Sequence, residues 1–268
     1  MNILAVETAT AWQSVAILAD DRVLACHDQP AAGAHAALLL PTIDRLLSES
    51  GLTLAQLDGL ACSIGPGSFT GIRVGVATCL GLRDATGLSL ALVPTLEAMA
   101  WTVADTGRLV CPVLVCRKDE VYWAVFRRIG ERIERIVGES VGSPQALGRS
   151  LTEETVLFGE GWTMNEAGIR SGAAPGVTII DGSSQAGRPS AVSVGRLGLE
   201  RVRRGEIAGV QVTPQYVQRA EAEIRYDQSG GLSPVARREE RVTRKVGARL
   251  SRRRPVAGEA GKVRKSNG

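Results

Sequence analysis

The sequence predicts an α/β fold built twice over, in two halves that each run β-β-β-α-β-α. Three observations carry that expectation. Each half opens on three short apolar, β-branched runs separated by tight polar turns. Each then alternates stretches of helical period with short buried runs of strand character. Third, 44% of residues are apolar and 22% charged, ordinary proportions for a globular chain, and 268 residues suffice for one large domain or two small ones sharing a core.

In the first half, strands are predicted over Asn2–Glu7 and Gln13–Leu18, flanking the polar corner Thr8–Ala9–Thr10. Asp20–Asp21 turns the chain into a third strand, Arg22–His27. A helix follows from about His35 to Ser50, because Leu39, Ile43, Leu46 and Leu47 recur on one face and Gly51 stands where a left-handed C-terminal cap belongs. A buried strand near Asp58–Ile64 leads into a Gly-Pro-Gly loop and a second helix, about Thr70–Ala85. The strand Ala91–Val93 and a helix over Thr95–Ala104 complete this half.

The second half repeats the order. Leu109–Cys116 and Glu120–Arg127 are strands joined by the charged turn Arg117–Lys118–Asp119, and Ile129–Gly130 turns into a third strand, Glu131–Val137. Ser143 as cap with Pro144 in the first turn starts a helix. The strand Thr155–Phe158, a short helix near Met164, the strand Val177–Ile180 and a helix over Ser190–Arg204 follow. The duplicated order is that of the actin-like ATPase fold, a ribonuclease H-like arrangement shared with sugar kinases and heat-shock ATPases. It divides the chain into subdomains at 1–107 and 108–227. The alternative is an unduplicated mixed α/β domain.

Beyond Tyr226 the apolar period stops. Residues 228–268 hold 12 Lys and Arg against three Glu, a net charge of +9, whereas the preceding residues carry a net −5. Such a segment lacks the apolar surface to offset its ordering entropy, so a disordered basic tail is expected. The five cysteines, Cys26, Cys62, Cys79, Cys111 and Cys116, form no CxxC pair and sit in apolar runs, as reduced buried thiols do. No signal-peptide pattern opens the chain and no run of about 20 apolar residues could span a bilayer, so a cytoplasmic protein is expected.

The most specific segment is Gly65–Pro66–Gly67–Ser68–Phe69–Thr70–Gly71–Ile72–Arg73–Val74–Gly75. It follows a strand and opens a helix, the setting in which free N–H groups can cradle an anion. No Lys–Ser/Thr pair completes a Walker loop, and the glycines do not match dinucleotide spacing. The other reading is a tight turn with Thr70 as helix cap, its glycines letting the helix pack closely.

This loop resembles the hallmark of the TsaB (YeaZ-like) family. Further similar segments are Asn2–Ile3–Leu4–Ala5–Val6–Glu7–Thr8–Ala9, His35 with Leu40–Pro41, Glu120–Val121–Tyr122–Trp123–Ala124 and Pro214–Gln215–Tyr216–Val217–Gln218–Arg219. They cover about residues 1–225 in order. Val115–Cys116–Arg117 stands where the family pattern has Asp-Ala-Arg, and the basic tail lies outside the pattern. The resemblance implies a non-catalytic subunit that pairs with a TsaD-like catalytic subunit through its two early helices. A TsaE-like ATPase joins the assembly, which uses TsaC-made threonylcarbamoyl-adenylate to modify the adenosine beside the anticodon of tRNA. It implies that tRNA is reached indirectly and that the chain forms a homodimer when alone. No cofactor of its own is implied: ATP or ADP and metal belong to the partner subunits. His35, Leu39, Ile43, Gly71, Ile72, Gly75 and Val76 are the candidate partner face.

The residues agree with a scaffold. The turn Glu7–Thr8–Ala9–Thr10 is a partial match to a phosphate-wrapping hairpin that lacks glycine, and Arg117–Lys118–Asp119–Glu120 is too bulky for close approach to a phosphate. His27 and His35 are the two histidines, and Leu39 stands one turn beyond His35, so no paired-histidine metal site is expected. No catalytic residue is assigned. Two rival functions stand beside this one: an active actin-like ATP-dependent phosphotransferase, and a nucleic-acid-binding protein led by its tail through counterion release.

Overall fold

The computed structural model describes residues 1–103, 107–130, 132–183, 187–209 and 212–213; the Pro214–Arg219 segment and the tail from 228 onward lie outside the described residues. Met1–Gln218 groups as one compact unit. It holds two five-stranded sheets.

In the first sheet, β1 (Asn2–Glu7), β2 (Trp12–Ala19) and β3 (Arg22–Pro30) form an antiparallel meander. β4 (Gly59–Ser63) pairs parallel to the other side of β1, and β5 (Ser89–Val93) parallel to β4, giving the order β3-β2-β1-β4-β5. The second sheet repeats it with β6 (Leu109–Arg117), β7 (Glu120–Ile129), β8 (Arg132–Gly142), β9 (Thr155–Phe158) and β10 (Ile179–Asp181), ordered β10-β9-β6-β7-β8. Two sheets of one topology, each a meander followed by parallel crossovers, are the duplicated actin-like arrangement that the sequence predicts.

Among the described residues, six α-helices cover these sheets. α1 (His35–Ser50) and α2 (Phe69–Thr86) lie on one face of the first sheet, where Leu39, Ile43, Leu46, Ile72, Val76 and Cys79 join Leu4, Val6, Val15 and Ile17 in a core. α4 (Pro144–Ser150) and α5 (Glu160–Gly172) take the matching face of the second, with Leu147, Trp162 and Ile169 packed on Cys111, Val113 and Val125. The remaining helices are exchanged. α3 (Thr95–Ala100), which follows the first sheet in sequence, packs on β6, β7 and β8; α6 (Ala191–Arg203), which follows the second, packs on β1, β2, β4 and β5. Ile3, Ala5, Ala16, Leu18 and Ala61 are therefore covered by Val194, Leu197 and Leu199 of the other half. Fully burying a Val or Leu side chain is worth roughly 1.5–3 kcal/mol, so the exchange binds the halves together. Glu97 of α3 ties it down, accepting ion-paired hydrogen bonds from Arg201 of α6 at 2.6 Å and Arg135 of β8 at 3.0 Å.

Several boundaries differ from expectation. α2 begins at Phe69, and its N-cap is Ser68, whose hydroxyl accepts from the Gly71 amide at 3.2 Å, rather than Thr70. α5 spans thirteen residues, longer than the short helix expected near Met164. Its Gly161, Gly168 and Gly172 are poor helix formers, but Gly161 and Gly172 admit the backbone of Leu114 and Gln145 respectively, so packing overrides propensity. β8 runs on to Gly142 through bulges against β7, and α3 stops at Ala100. Among the described residues no helix is long and apolar enough to cross a membrane.

Candidate functional site

The glycine loop and the corner after β1 form one structure. Gly65 and Gly67 have φ of 106° and 154°, a range that L side chains rarely adopt, and the Gly65–Pro66 peptide is cis. The turn aims the start of α2 at the corner. There the Ser68 amide donates to the Ala9 carbonyl at 2.7 Å, and the Thr8 hydroxyl donates to the Gly71 carbonyl at 2.8 Å. A Cβ on Gly71 would lie 2.1 Å from the Thr8 carbonyl oxygen, and one on Gly75 would lie 2.3 Å from Thr8 Oγ1. The glycines of the motif thus serve close packing, chiefly against a strand corner, with His35 of α1 also in contact beside Gly71.

The first turn of α1 meets the same corner. His35 is buried, and its Nε2 bonds the Thr10 carbonyl at 3.0 Å, which assigns the proton to that nitrogen. Ala31 N donates to Ala11 O at 2.9 Å. Beneath the corner, Glu7 closes β1 with a side chain only 1% exposed. Its Oε1 accepts from the Ala9 amide, while Oε2 has no hydrogen-bond partner. Burial pushes the carboxyl up to about 7; the Ala9 amide and then the neighbouring Ser63 hydroxyl act in the opposite direction without cancelling it.

The corresponding turn of the second half, Arg117–Glu120, is a tight hairpin with Asp119 at φ 62°. Arg117 clamps it, Nε donating to Glu120 Oε2 and Nη2 to Oε1, both at 2.9 Å. A two-point ion pair closes this turn. Among the described residues no group of three or more His, Cys, Asp or Glu side chains is placed to hold a metal ion.

The predicted residues separate into two groups. His35, Gly65, Pro66, Gly67, Ser68, Gly71 and Gly75 gather at the corner. Leu39, Ile43, Ile72 and Val76 are buried in the chain's own core, because the sheet claims the apolar stripe of each helix. The solvent flank of the helix pair is made by other side chains: Ala36, Ala37, Leu40 and Pro41 on α1, with Thr70, Arg73 and Ala77 on α2. Leu40 is 55% exposed. The Arg73 guanidinium lies 3.5 Å from the centroid of the half-buried Phe69 ring. Of the flank residues, Thr70 and Arg73 belong to the glycine-loop motif and Leu40 and Pro41 to a segment that resembles the family; Ala36 and Ala37 were not singled out in the sequence.

Comparison with known proteins adds the following. The family described as TsaD, tRNA N6-adenosine threonylcarbamoyltransferase, matches residues 28–158. The chain is 33% identical over 191 residues to the tRNA threonylcarbamoyladenosine biosynthesis protein TsaB of Escherichia coli, covering 68% of this chain and 80% of that protein. It is 34% identical over 173 residues to the protein of the same name from Haemophilus influenzae, covering 60% and 73%. Among solved structures, YeaZ from Pseudomonas aeruginosa superposes with a TM-score of 0.69 at 27% identity, over 80% of this chain and 99% of that one.

Proposed function

The chain belongs to the TsaB family, and from that premise we propose that it acts in making threonylcarbamoyladenosine in tRNA, as a scaffold that holds the catalytic subunit rather than performing the chemistry. The observation that supports the scaffold reading is the clamped second turn. An actin-like ATPase wraps phosphate in small, glycine-bearing hairpins from both halves; here Arg117 and Glu120 close one of them on itself. ATP or ADP and metal then belong to a TsaD-like subunit and a TsaE-like ATPase, and tRNA is held by the assembly.

The partner face in this reading is the outward flank of α1 and α2, placed by the corner at their first turns. At its first turns it offers an exposed leucine, a proline, alanines and the Arg73 guanidinium, a surface on which a second helix pair can pack. In the absence of the TsaD-like subunit a second copy takes that face.

The test is reconstitution with the TsaD-like and TsaE-like proteins of the same cell. The expected result is a stoichiometric complex with the TsaD-like subunit on size exclusion, and tRNA modification only when all components are present. ATP turnover by the purified chain alone, abolished by Glu7→Gln or Thr8→Ala, would establish the phosphotransferase instead.

A further inference from the structure

We propose that the Glu7 carboxyl is a proton-operated latch that sets how firmly the Thr8–Thr10 corner holds the first turns of α1 and α2. The geometry carries it. Glu7 is the last residue of β1, and its Oε1 fixes the corner by accepting from Ala9 N. That same residue, Ala9, receives the Ser68 amide that starts α2, and Thr10, next along, receives His35 from α1. One side chain therefore stands behind both helix starts.

Its surroundings make it sensitive to protons. Among the described residues no Lys or Arg hydrogen-bonds or ion-pairs with the carboxyl. The titratable groups packed near it are the thiols of Cys62 on β4 and Cys79 on α2; Cys62 is itself pushed up, first by its hydrogen bond with Cys79 and then by burial, so it stays neutral through the physiological range. The Ser63 hydroxyl stands close enough to the carboxyl to favour its charged form, yet neither it nor Oε2 makes a hydrogen bond of ordinary length and angle. In the neutral acid, Oε2 carries the proton and can donate it to Ser63 Oγ, while Oε1 remains an acceptor for Ala9. Loss of the proton to solvent leaves an uncompensated buried charge, which draws in water and loosens the corner. Burial places that change near neutrality.

Resting on the reading that α1 and α2 carry the partner face, the latch makes association weaken as pH rises above about 7. The change is at most about tenfold per pH unit, the limit for one linked proton.

The experiment is NMR on the folded full chain between pH 5.5 and 8.5. In wild type, the Glu7 carboxyl carbon and the Ala9 amide should follow one proton with a midpoint near neutrality, and protection of the Ser68 amide from exchange should fall above it. Glu7→Gln should abolish both responses. A Glu7 carboxyl carbon already fully ionised at pH 5.5 overturns the proposal in wild type alone, whether or not the variant folds. An unchanged Ala9 response in Glu7→Gln overturns it as well. Binding to the TsaD-like subunit is read over the same range. A latch that titrates while affinity stays flat refutes the placement of the partner face and leaves the latch standing.

Discussion

At the scale of single residues, the corner rests on contacts too close for any side chain larger than hydrogen. Gly75→Ala would set a methyl group 2.3 Å from Thr8 Oγ1, with the Thr8 Cβ at an ordinary 3.5 Å. Chemical denaturation should therefore show Gly75→Ala destabilised by roughly 1–3 kcal/mol, and by much less in a Thr8→Ala background, where only the ordinary contact remains. Additive effects in the double mutant would mean that Thr8 is not the neighbour that matters. Glu7 allows a second residue-scale prediction. Its folded pKa, about 7, lies above the unfolded 4.5, so the folded state keeps a proton that the unfolded state loses between those values. Stability from this group is full below about pH 4.5, declines as pH rises to 7, and is flat beyond, a total of up to about 3 kcal/mol. Glu7→Gln should flatten that part of the profile and melt higher than wild type at pH 8. That the glycines of the Gly65–Gly75 segment serve close packing of the helix they open was legible. What crowds it was not, because Thr8 lies more than 60 residues away in the chain.

At the scale of elements, core and surface positions alternate within a single turn of α1, and neighbouring substitutions should part company. Leu39→Ala removes a buried side chain and should cost about 2–5 kcal/mol of folding stability. Leu40→Glu, one residue on and 55% exposed, should leave the melting temperature nearly unchanged while abolishing the complex with the TsaD-like subunit. Size exclusion and thermal denaturation of both variants check the pair; a Leu40→Glu chain that binds normally would move the partner face elsewhere. α1 was readable to the residue because its apolar period and the Gly51 cap agree. α5 was not, since three glycines and the non-helical Asn165 disguise it, and only the backbones of Leu114 and Gln145 explain why glycine is needed. The candidate partner face was half legible: hydrophobic period marks the helices, but period alone points at the sheet.

At the scale of the whole molecule, the exchange of α3 and α6 makes each half incomplete. A chain ending at residue 107 would leave Ile3, Ala5, Leu18 and Ala61 uncovered, and one starting at 108 would lack Leu96 and Met99 of α3. Each piece expressed alone should be insoluble or unfolded, and the two co-expressed should assemble into a soluble pair, judged by co-purification. Soluble, cooperatively melting single halves would show that the exchanged helices are dispensable. The charge division makes a separate prediction. Removing residues 228–268 takes away a net +9, so the body's melting temperature should hold, while tRNA binding measured across a salt series should show a shallower slope if those charges meet phosphate. Equal slopes would show that they do not. That the chain folds as a duplicated α/β unit was legible from repeated order; the exchange was not, because helix period records that an apolar face is covered and not by which sheet.

The exchanged helix α6 also orders events in time. A ribosome delivers the first sheet complete at Val93, yet its cover, ending at Arg203, emerges roughly a hundred residues later. At about 5–20 residues per second, that is an interval on the order of 5–20 s. Throughout it the nascent chain carries the apolar strands of that sheet with nothing of its own to lay upon them. Newly made protein should therefore depend on chaperones that bind such surfaces during translation, even though the finished molecule buries them completely.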